Sequence, residues 1–337
     1  MKISLSHSYN DIIGLNNLFS AWEELVVGKS HKDDIEAFTL DLFDNIAKLH
    51  DDLVNRTYKH GGYYSFYIND PKRRHIHKAD VRDRLLHHAI YRLLYPFFER
   101  TFISDSFSCR LGKGVYKAIE NFEAKSYKIS KNKNKTCWVL KCDIKKFFDS
   151  IDHKILLDIL NDYIPDKDIM WLLEKVVDSY HNKSKHGVGL PLGNLTSQLF
   201  ANVYLNVFDQ WAKHKLKTRH YIRYADDFVV LAVDKKWLED IIPQIRDVLL
   251  EKLNLTLHPT KISLKTYNSG VDFLGWNNFP DYKRLRNKTK QRMFKKITDR
   301  PLPEVYQSYL GLLGHGDTHH IQEDLQNVYW LLNEEDE

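Results

Sequence analysis

Three aspartates stand where apolar segments stop. Asp143 closes the run Trp138-Val139-Leu140-Lys141-Cys142, and Asp226 and Asp227 separate Tyr221-Ile222-Arg223-Tyr224 from Phe228-Val229-Val230-Leu231. Short runs rich in aromatic and β-branched residues read as strands, and the doublet between two of them as a tight hairpin turn. Strands lying side by side would bring the three carboxylates together at one sheet end. Carboxylates that close repel unless a cation neutralises them. Hard oxygen donors with room for water and phosphate suit Mg²⁺. Two such ions ~3.5–4 Å apart activate an attacking hydroxyl and stabilise a leaving phosphate oxygen. Each aspartate taken singly has a plainer reading, as a favoured turn residue or, for Asp143, a helix N-cap. Their order and apolar flanks favour a shared site.

The elements that must position these groups follow from periodicity. Leu85, Leu86, His88, Ile90, Leu93 and Leu94 predict a helix over Arg82–Arg100. A strand is expected over Thr136–Ile144, and helices over His153–Asn161 and Leu195–Trp211. After the hairpin comes a helix over Trp237–Leu253, with Pro243 either near its start or kinking it. Leu255–Leu264 reads as a strand broken at Pro259. The order β-α-α-β-β-α-β predicts an α+β fold whose split βαβ sheet is covered on one face by helices.

Composition bounds the alternatives. With 337 residues, 43% hydrophobic and 28% charged, the chain is globular and not disordered, and the length suggests about two domains. Cys109, Cys137 and Cys142 form no C-x-x-C pair, which argues against a disulfide framework or zinc ribbon and for a reducing, cytoplasmic setting. Met1–Asp11 has no signal-peptide core. The charge-free stretch His186–Phe208 contains Pro191, Asn194, Gln198, Asn202 and Asn206, too polar for a membrane span. Despite 17 histidines there is no H-E-x-x-H, which leaves a zinc hydrolase a weak rival, and neither a P-loop nor a G-x-S-x-G occurs, which argues against a P-loop nucleotidase and an α/β-hydrolase.

Charge is clustered. The net charge is only +5, yet Pro71–Arg84 holds Lys72, Arg73, Arg74, Lys78, Arg82 and Arg84, and Lys283–Lys296 holds eight basic residues and no acid. Either block alone reads as a solvated face. Two blocks flanking a carboxylate centre fit the walls of a groove for a phosphate backbone. A non-catalytic RNA-binding protein would explain the blocks and the 13% aromatic content by backbone contact and stacking, but not carboxylates at strand ends.

From about residue 60 to 280 the chain resembles reverse transcriptases. Tyr224-Ala225-Asp226-Asp227 is similar to the family's Y-x-D-D box, and Asp143 with Phe147 and Phe148 to its first carboxylate motif. Gly189-Leu190-Pro191-Leu192-Gly193-Asn194-Leu195-Thr196-Ser197-Gln198 resembles the template and nucleotide motif, Leu257-His258-Pro259-Thr260-Lys261 the lysine motif, and Phe273-Leu274-Gly275-Trp276 the primer grip. Arg74, Arg82 and Arg84 match fingers arginines, and Phe107-Ser108-Cys109-Arg110 a second fingers motif. The resemblance implies a right-hand polymerase: N-terminal segment and fingers over 1–136, palm over 137–280 with a fingers-side portion near 163–192, and a basic helical thumb over 281–337. It implies RNA-directed DNA synthesis with two Mg²⁺ ions, for which Mn²⁺ can substitute. Asp143, the Ile144 carbonyl and Asp226 would ligate metal, with Asp227 assisting. Lys261 would protonate the pyrophosphate leaving group, unless it is a surface lysine. Arg74 and Arg82 would hold the triphosphate, and Leu192, Gly193 and Gln198 would line the nucleotide site. Phe148 would exclude a 2′-hydroxyl, unless it is core packing. Arg84, Arg110, Phe273, Leu274, Gly275, Trp276, Lys288 and Arg292 would meet nucleic acid. About 60 residues follow the grip, enough for a helical thumb and too few for a ribonuclease H domain.

One departure is informative. Most of the family carries Gln before the motif glycine, where this chain has Pro191-Leu192-Gly193. That variant, the short fingers and His315-Gly316-Asp317-Thr318 resemble diversity-generating retroelement enzymes, which copy a template RNA with frequent errors opposite adenine. Those enzymes use template RNA, cDNA or primer, dNTPs and a small basic accessory oligomer. Phage-defence reverse transcriptases share much of the pattern.

Overall fold

The computed structural model describes residues 3–69 and 72–334. Pro71, which opens the first basic block, lies outside these residues, as do Met1, Lys2 and the end of the 281–337 segment. Four N-terminal helices, α1 (Tyr9–Ile13), α2 (Leu15–Val26), α3 (Asp33–Leu40) and α4 (Leu42–Val54), precede an antiparallel hairpin, β1 (Tyr63–Ile68) and β2 (Arg74–Ala79). Next come α5 (Val81–Glu99), α6 (Val115–Ile129), strand β3 (Trp138–Asp143), the one-turn α7 (Phe147–Ser150), α8 (His153–Asn161), α9 (Lys167–Val177) and α10 (Leu195–His214). Strands β4 (Tyr221–Tyr224) and β5 (Asp227–Ala232) then lead to α11 (Lys235–Leu253) and β6 (Ser263–Thr266). A small sheet of β7 (Val271–Phe273), β8 (Trp276–Asn278) and β9 (Lys283–Leu285) is followed by α12 (Asn287–Asp299), α13 (Pro303–Leu313) and α14 (His319–Glu334).

The central sheet has the order β4-β5-β3-β6, each neighbouring pair antiparallel. Strands β3 and β4 therefore run parallel with β5 inserted between them, which is the split arrangement the element order predicts. Both faces of this sheet are covered, not one as expected. Leu140, Cys142, Phe228 and Val230 join a core with Leu156 of α8, Phe200, Tyr204 and Phe208 of α10, and Leu249 of α11. Val139, Ile222, Val229 and Leu231 pack on the other face against Phe122 of α6 and against Tyr267 and Phe273. The uninterrupted apolar run Phe228–Leu231 follows from this, since a strand buried on both faces cannot alternate.

Helix α10 explains the charge-free stretch: Leu199, Phe200, Val203, Tyr204, Leu205 and Phe208 are all buried in it. It packs against α5, which in turn packs against α2, and a helix enclosed this way reads as apolar on every side. Among the described residues no helix is long and apolar enough to cross a membrane. Pro243 lies well inside α11, whose start is instead capped by Asp234 accepting from the Trp237 amide at 3.2 Å.

The strand expected over Leu255–Leu264 is broken at Pro259 as read, but only the part after the break forms a strand. Leu257 makes only an isolated bridge to Ile144, and strand pairing resumes at Ser263. The reason is a turn at Pro259-Thr260, closed by Lys261 N–H donating to the His258 carbonyl at 3.3 Å, while the His258 amide donates to the Asp143 carbonyl at 2.8 Å. That turn aims Lys261 back at the end of β3.

Candidate active site

The sheet register delivers the carboxylates. Asp143 at the end of β3 pairs directly with Asp227 at the start of β5, and Tyr224 pairs with Asp227 to close the two-residue turn Ala225-Asp226. Ala225 has φ +52°, a left-handed conformation unfavourable for a residue with a Cβ, so the turn must be held by its surroundings. Beneath it lies Arg223. Both Arg223 and Asp209 of α10 are fully buried. The guanidinium donates to the Asp209 carboxylate at 2.7–3.0 Å, to Asn202 Oδ1 and the Ala225 carbonyl at 3.2 Å, and to Ser106 Oγ at 3.0 Å. The Tyr221 hydroxyl donates to Asp209 at 2.7 Å. Arg223 and Asp209 went unnoticed in the sequence. The available signals were a charge inside an apolar strand and the first charge after the long uncharged stretch.

Burial in the turn raises the Asp226 pKa, and the Asp143 charge adds to this, while Lys261 and Lys72 oppose it. Asp227 is pushed up to about 6, by burial first and then by Asp226 and Asp143, against Lys141 and Arg286. Two carboxylates destabilised as anions form a centre that favours added positive charge. Lys261 supplies one such charge: its Nζ lies 2.9 Å from both Asp143 oxygens, with 44% of the lysine side chain exposed. Among the described residues no three His, Cys, Asp or Glu side chains converge on one point as they stand. The donor set, three carboxylates at the end of β3 and around the β4–β5 turn, fits a hard divalent cation. Such a cation needs Asp143 to exchange Lys261 for metal.

The β1–β2 hairpin overlooks this centre. The His77 amide donates to the Leu192 carbonyl at 2.8 Å, and the Asn194 side chain bonds the backbone of His77 and Ala79. Gly193, at φ +115°, is required by this docking, because a Cβ there would come within 2.8 Å of Ile76 Cγ2. Arg74 is exposed at the start of β2, and its charge, like that of Lys72, is felt at the turn, by Tyr224 and Asp226 respectively. Phe148, half-buried and edge-on to Phe147, lines a small gap with Gln198, Cys109 and Ala225. Phe148 and Gln198 are thus brought together beside the turn.

Other expected contacts are not brought there. Arg82 donates to Asp52 at 2.6 Å and lies over the Tyr58 ring, and Arg84 pairs with Asp34. The N-terminal helices hold both guanidinium groups, so Lys72 and Arg74 are the cations of the first basic block whose charge reaches the turn, at Asp226 and Tyr224 respectively. Arg110 is also held within the protein: Nε and Nη2 donate to Glu99, and Nη1 donates to the carbonyls of Ile103 and Ser106 at 2.6 and 2.7 Å. Its donors are spent on shaping a loop. Phe273 and Trp276 are buried as a cross-strand pair, leaving Leu274 (φ +51°) and Gly275 (φ +95°) as the hairpin tip. Lys288 and Arg292 lie on α12, whose inner face is anchored by Met293 and Ile297.

Residues 60–278 match the profile of the family described as reverse transcriptase (RNA-dependent DNA polymerase). That span is well over half of the chain, and the chain belongs to this family. It is 27% identical over 231 residues to Protein YkfC of Escherichia coli K12, covering 58% of this chain and 60% of that protein. It is 27% identical over 178 residues to the Group II intron-encoded protein LtrA of Lactococcus lactis, covering 50% of this chain and 28% of LtrA. A putative COX1/OXI3 intron 2 protein of Saccharomyces cerevisiae is 22% identical over 277 residues, 64% of this chain and 30% of that protein. The chain thus spans 60% or less of the length of these relatives.

Proposed function

We propose that this protein is an RNA-directed DNA polymerase working with two divalent metal ions, Mg²⁺ with Mn²⁺ as a substitute. The observation that carries the reading is the direct pairing of Asp143 with Asp227 beside the Asp226 turn, with Lys261 reaching Asp143. In this reading residues 1–136 are the N-terminal segment and fingers, 137–280 the palm and 281–337 the thumb of a right-hand polymerase.

Asp143, Asp226 and the Ile144 carbonyl would hold the metal, with Asp227 beside them. Bound metal supplies activation of the primer hydroxyl and charge stabilisation on the phosphates. The chain's own residues do the rest. Arg74 and Lys72 grip the triphosphate of the incoming dNTP. Lys261, freed from Asp143, donates a proton to the leaving pyrophosphate. Phe148 closes the space a 2′-hydroxyl would need. The Leu274-Gly275 tip bears on the primer strand, and Lys288 and Arg292 contact phosphates without reading bases.

The test is primer extension on a defined RNA template. Asp226→Asn should lower the rate at least ~1000-fold, equivalent to about 4 kcal/mol of barrier, with the fold kept. A near wild-type rate in that variant overturns the assignment. Template binding with no dNTP incorporation by the wild type would favour the non-catalytic RNA-binding alternative.

Within this reading we assign the enzyme to error-prone copying in a diversity-generating retroelement, in the cytoplasm and with a small basic accessory oligomer. Leu192 supports it. Its backbone is fixed by His77, and its side chain can neither donate nor accept a hydrogen bond. One missing orienting bond, worth ~0.5–1.5 kcal/mol, relaxes discrimination by roughly two- to tenfold. Deep sequencing of cDNA should show frequent errors opposite template adenine, reduced several-fold by Leu192→Gln. Ordinary fidelity in the wild type would overturn this role and favour the phage-defence one.

A further inference from the structure

A second concave site shares no residue with the aspartate centre. It is a pocket of about 730 Å³ between α6, the β8–β9 turn and the loop before α14. Its apolar walls are aromatic: Tyr127, Tyr267, Phe279 and Tyr282. Phe279 and Tyr282 stack with ring centroids 4.7 Å apart. Phe279 is seated on Gly270, where a Cβ would lie 2.5 Å from its ring. These walls are therefore packed in place. Tyr127 is 51% exposed, with its ring bordering an open pocket.

The polar lining is acidic. Glu120, Glu123, Asp281 and Asp317 face Lys133 and Lys283. Lys133 is already paired with Asp281, and Lys283 with Glu123 at 3.0 Å. Glu120 and Asp317 are exposed and carry no ion pair among the described residues. Burial raises the Tyr267 pKa, and the charges of Glu123 and Asp281 raise it further, so the negative field reaches the pocket wall. This concentration of acid sits in a chain whose net charge is +5.

The chemistry selects the occupant. Phosphate groups are repelled by the carboxylates, which excludes a nucleic-acid backbone. The carboxylates do not converge as metal ligands. A cation carried on a flat or alkyl body satisfies both wall and rim: its face lies on the aromatic rings, and its donors reach the free carboxylates. Guanidinium fits best, because it is planar, weakly hydrated and forked. We propose that this pocket receives an arginine side chain from a basic segment of a partner protein. The proposal does not rest on the polymerase reading, since none of its residues belongs to that site.

The experiment measures binding of a fluorescein-labelled peptide of alternating Gly and Arg to the full chain by anisotropy, at one salt concentration. The wild type should bind it more tightly than the matching Gly-Lys peptide, and a Gly-Glu peptide should not bind. The double substitution Glu120→Gln with Asp317→Asn should weaken Gly-Arg binding at least fivefold, and Tyr127→Ala should weaken it through the lost ring face. All three positions are exposed, and unchanged melting and primer extension would show that the fold is intact. Asp143→Asn should leave peptide binding unchanged. The proposal is overturned if the double variant binds like wild type, or if Asp143→Asn removes binding and so moves the peptide to the aspartate centre. It is also overturned if the wild type self-associates through this pocket and the double variant is monomeric, because the occupant is then the basic surface of a second copy.

Discussion

Replacing Asp209 by Asn tests what holds the active-site turn. The substitution keeps the size and shape of the side chain and removes its charge, so any effect is electrostatic and not a cavity. In the wild type the carboxylate accepts three guanidinium hydrogen bonds at 2.7–3.0 Å and one from Tyr221 at 2.7 Å, with neither ionic partner exposed. After substitution Arg223 stays cationic: in the native protein burial pulls its pKa down and the Asp209 charge more than offsets this, and even without that partner no accessible pH neutralises a guanidinium. An uncompensated buried charge costs ~3–5 kcal/mol, about a fifth or more of a typical ~5–15 kcal/mol stability. The urea midpoint should fall accordingly. Arg223 also holds the Ala225 carbonyl, so primer extension should drop even at temperatures where the variant remains folded. Removing both charges, as Asp209→Leu with Arg223→Met, should cost less than Asp209→Asn alone, since no buried ion remains. A wild-type urea midpoint for Asp209→Asn would refute the reasoning. So would a double variant less stable than the single.

Three further outcomes are expected. His87 is fully buried, and desolvation, aided by His60 and His88, depresses its pKa from 6.5 to about 3. The unfolded chain therefore takes up the proton first, so this contribution to stability is complete above pH 6.5 and is lost as pH falls toward 3. Between pH 6.5 and 5 the loss is ~2 kcal/mol, and His87→Gln should flatten that part of the stability curve in urea titrations. Replacing Lys288, Lys290, Arg292 and Lys295 by Gln should reduce the salt slope of template–primer binding by roughly three; an unchanged slope would mean that α12 does not meet phosphate. Phe148→Ala should let ribonucleotides compete with deoxynucleotides in single-nucleotide incorporation, and retained selectivity in a folded variant would return Phe148 to a packing role.

The arginines show where sequence reasoning stops. Arg74, Arg82, Arg84 and Arg110 are alike in type and lie in similar basic contexts. Of the four, Arg74 has its charge felt at the active-site turn, by Tyr224, while Asp52, Asp34 and Glu99 capture the other three. For Arg82 and Arg84 those acids lie in helices far back in the chain, so no local pattern announces the pairing. Lys261 is the converse. The break expected at Pro259 within Leu255–Leu264 is present, and what the sequence did not show is that the Pro259-Thr260 turn returns the lysine to Asp143.

The sequence by itself determined the helices over α5, α8 and α10, the strands that end at Asp143 and flank Asp226-Asp227, and the clustering of basic charge. These depend on periodicity and turn chemistry within a few residues, and they are written locally. Tertiary structure alone decided that both faces of the sheet are covered, which arginines remain free, and that a buried Arg223–Asp209 pair supports a strained alanine. It also assembled the acidic aromatic pocket from α6, the β8–β9 turn and the loop before α14. Those outcomes depend on which distant groups become neighbours and on the cost of leaving a buried charge or polar group without a partner. That cost exists only once the chain is packed.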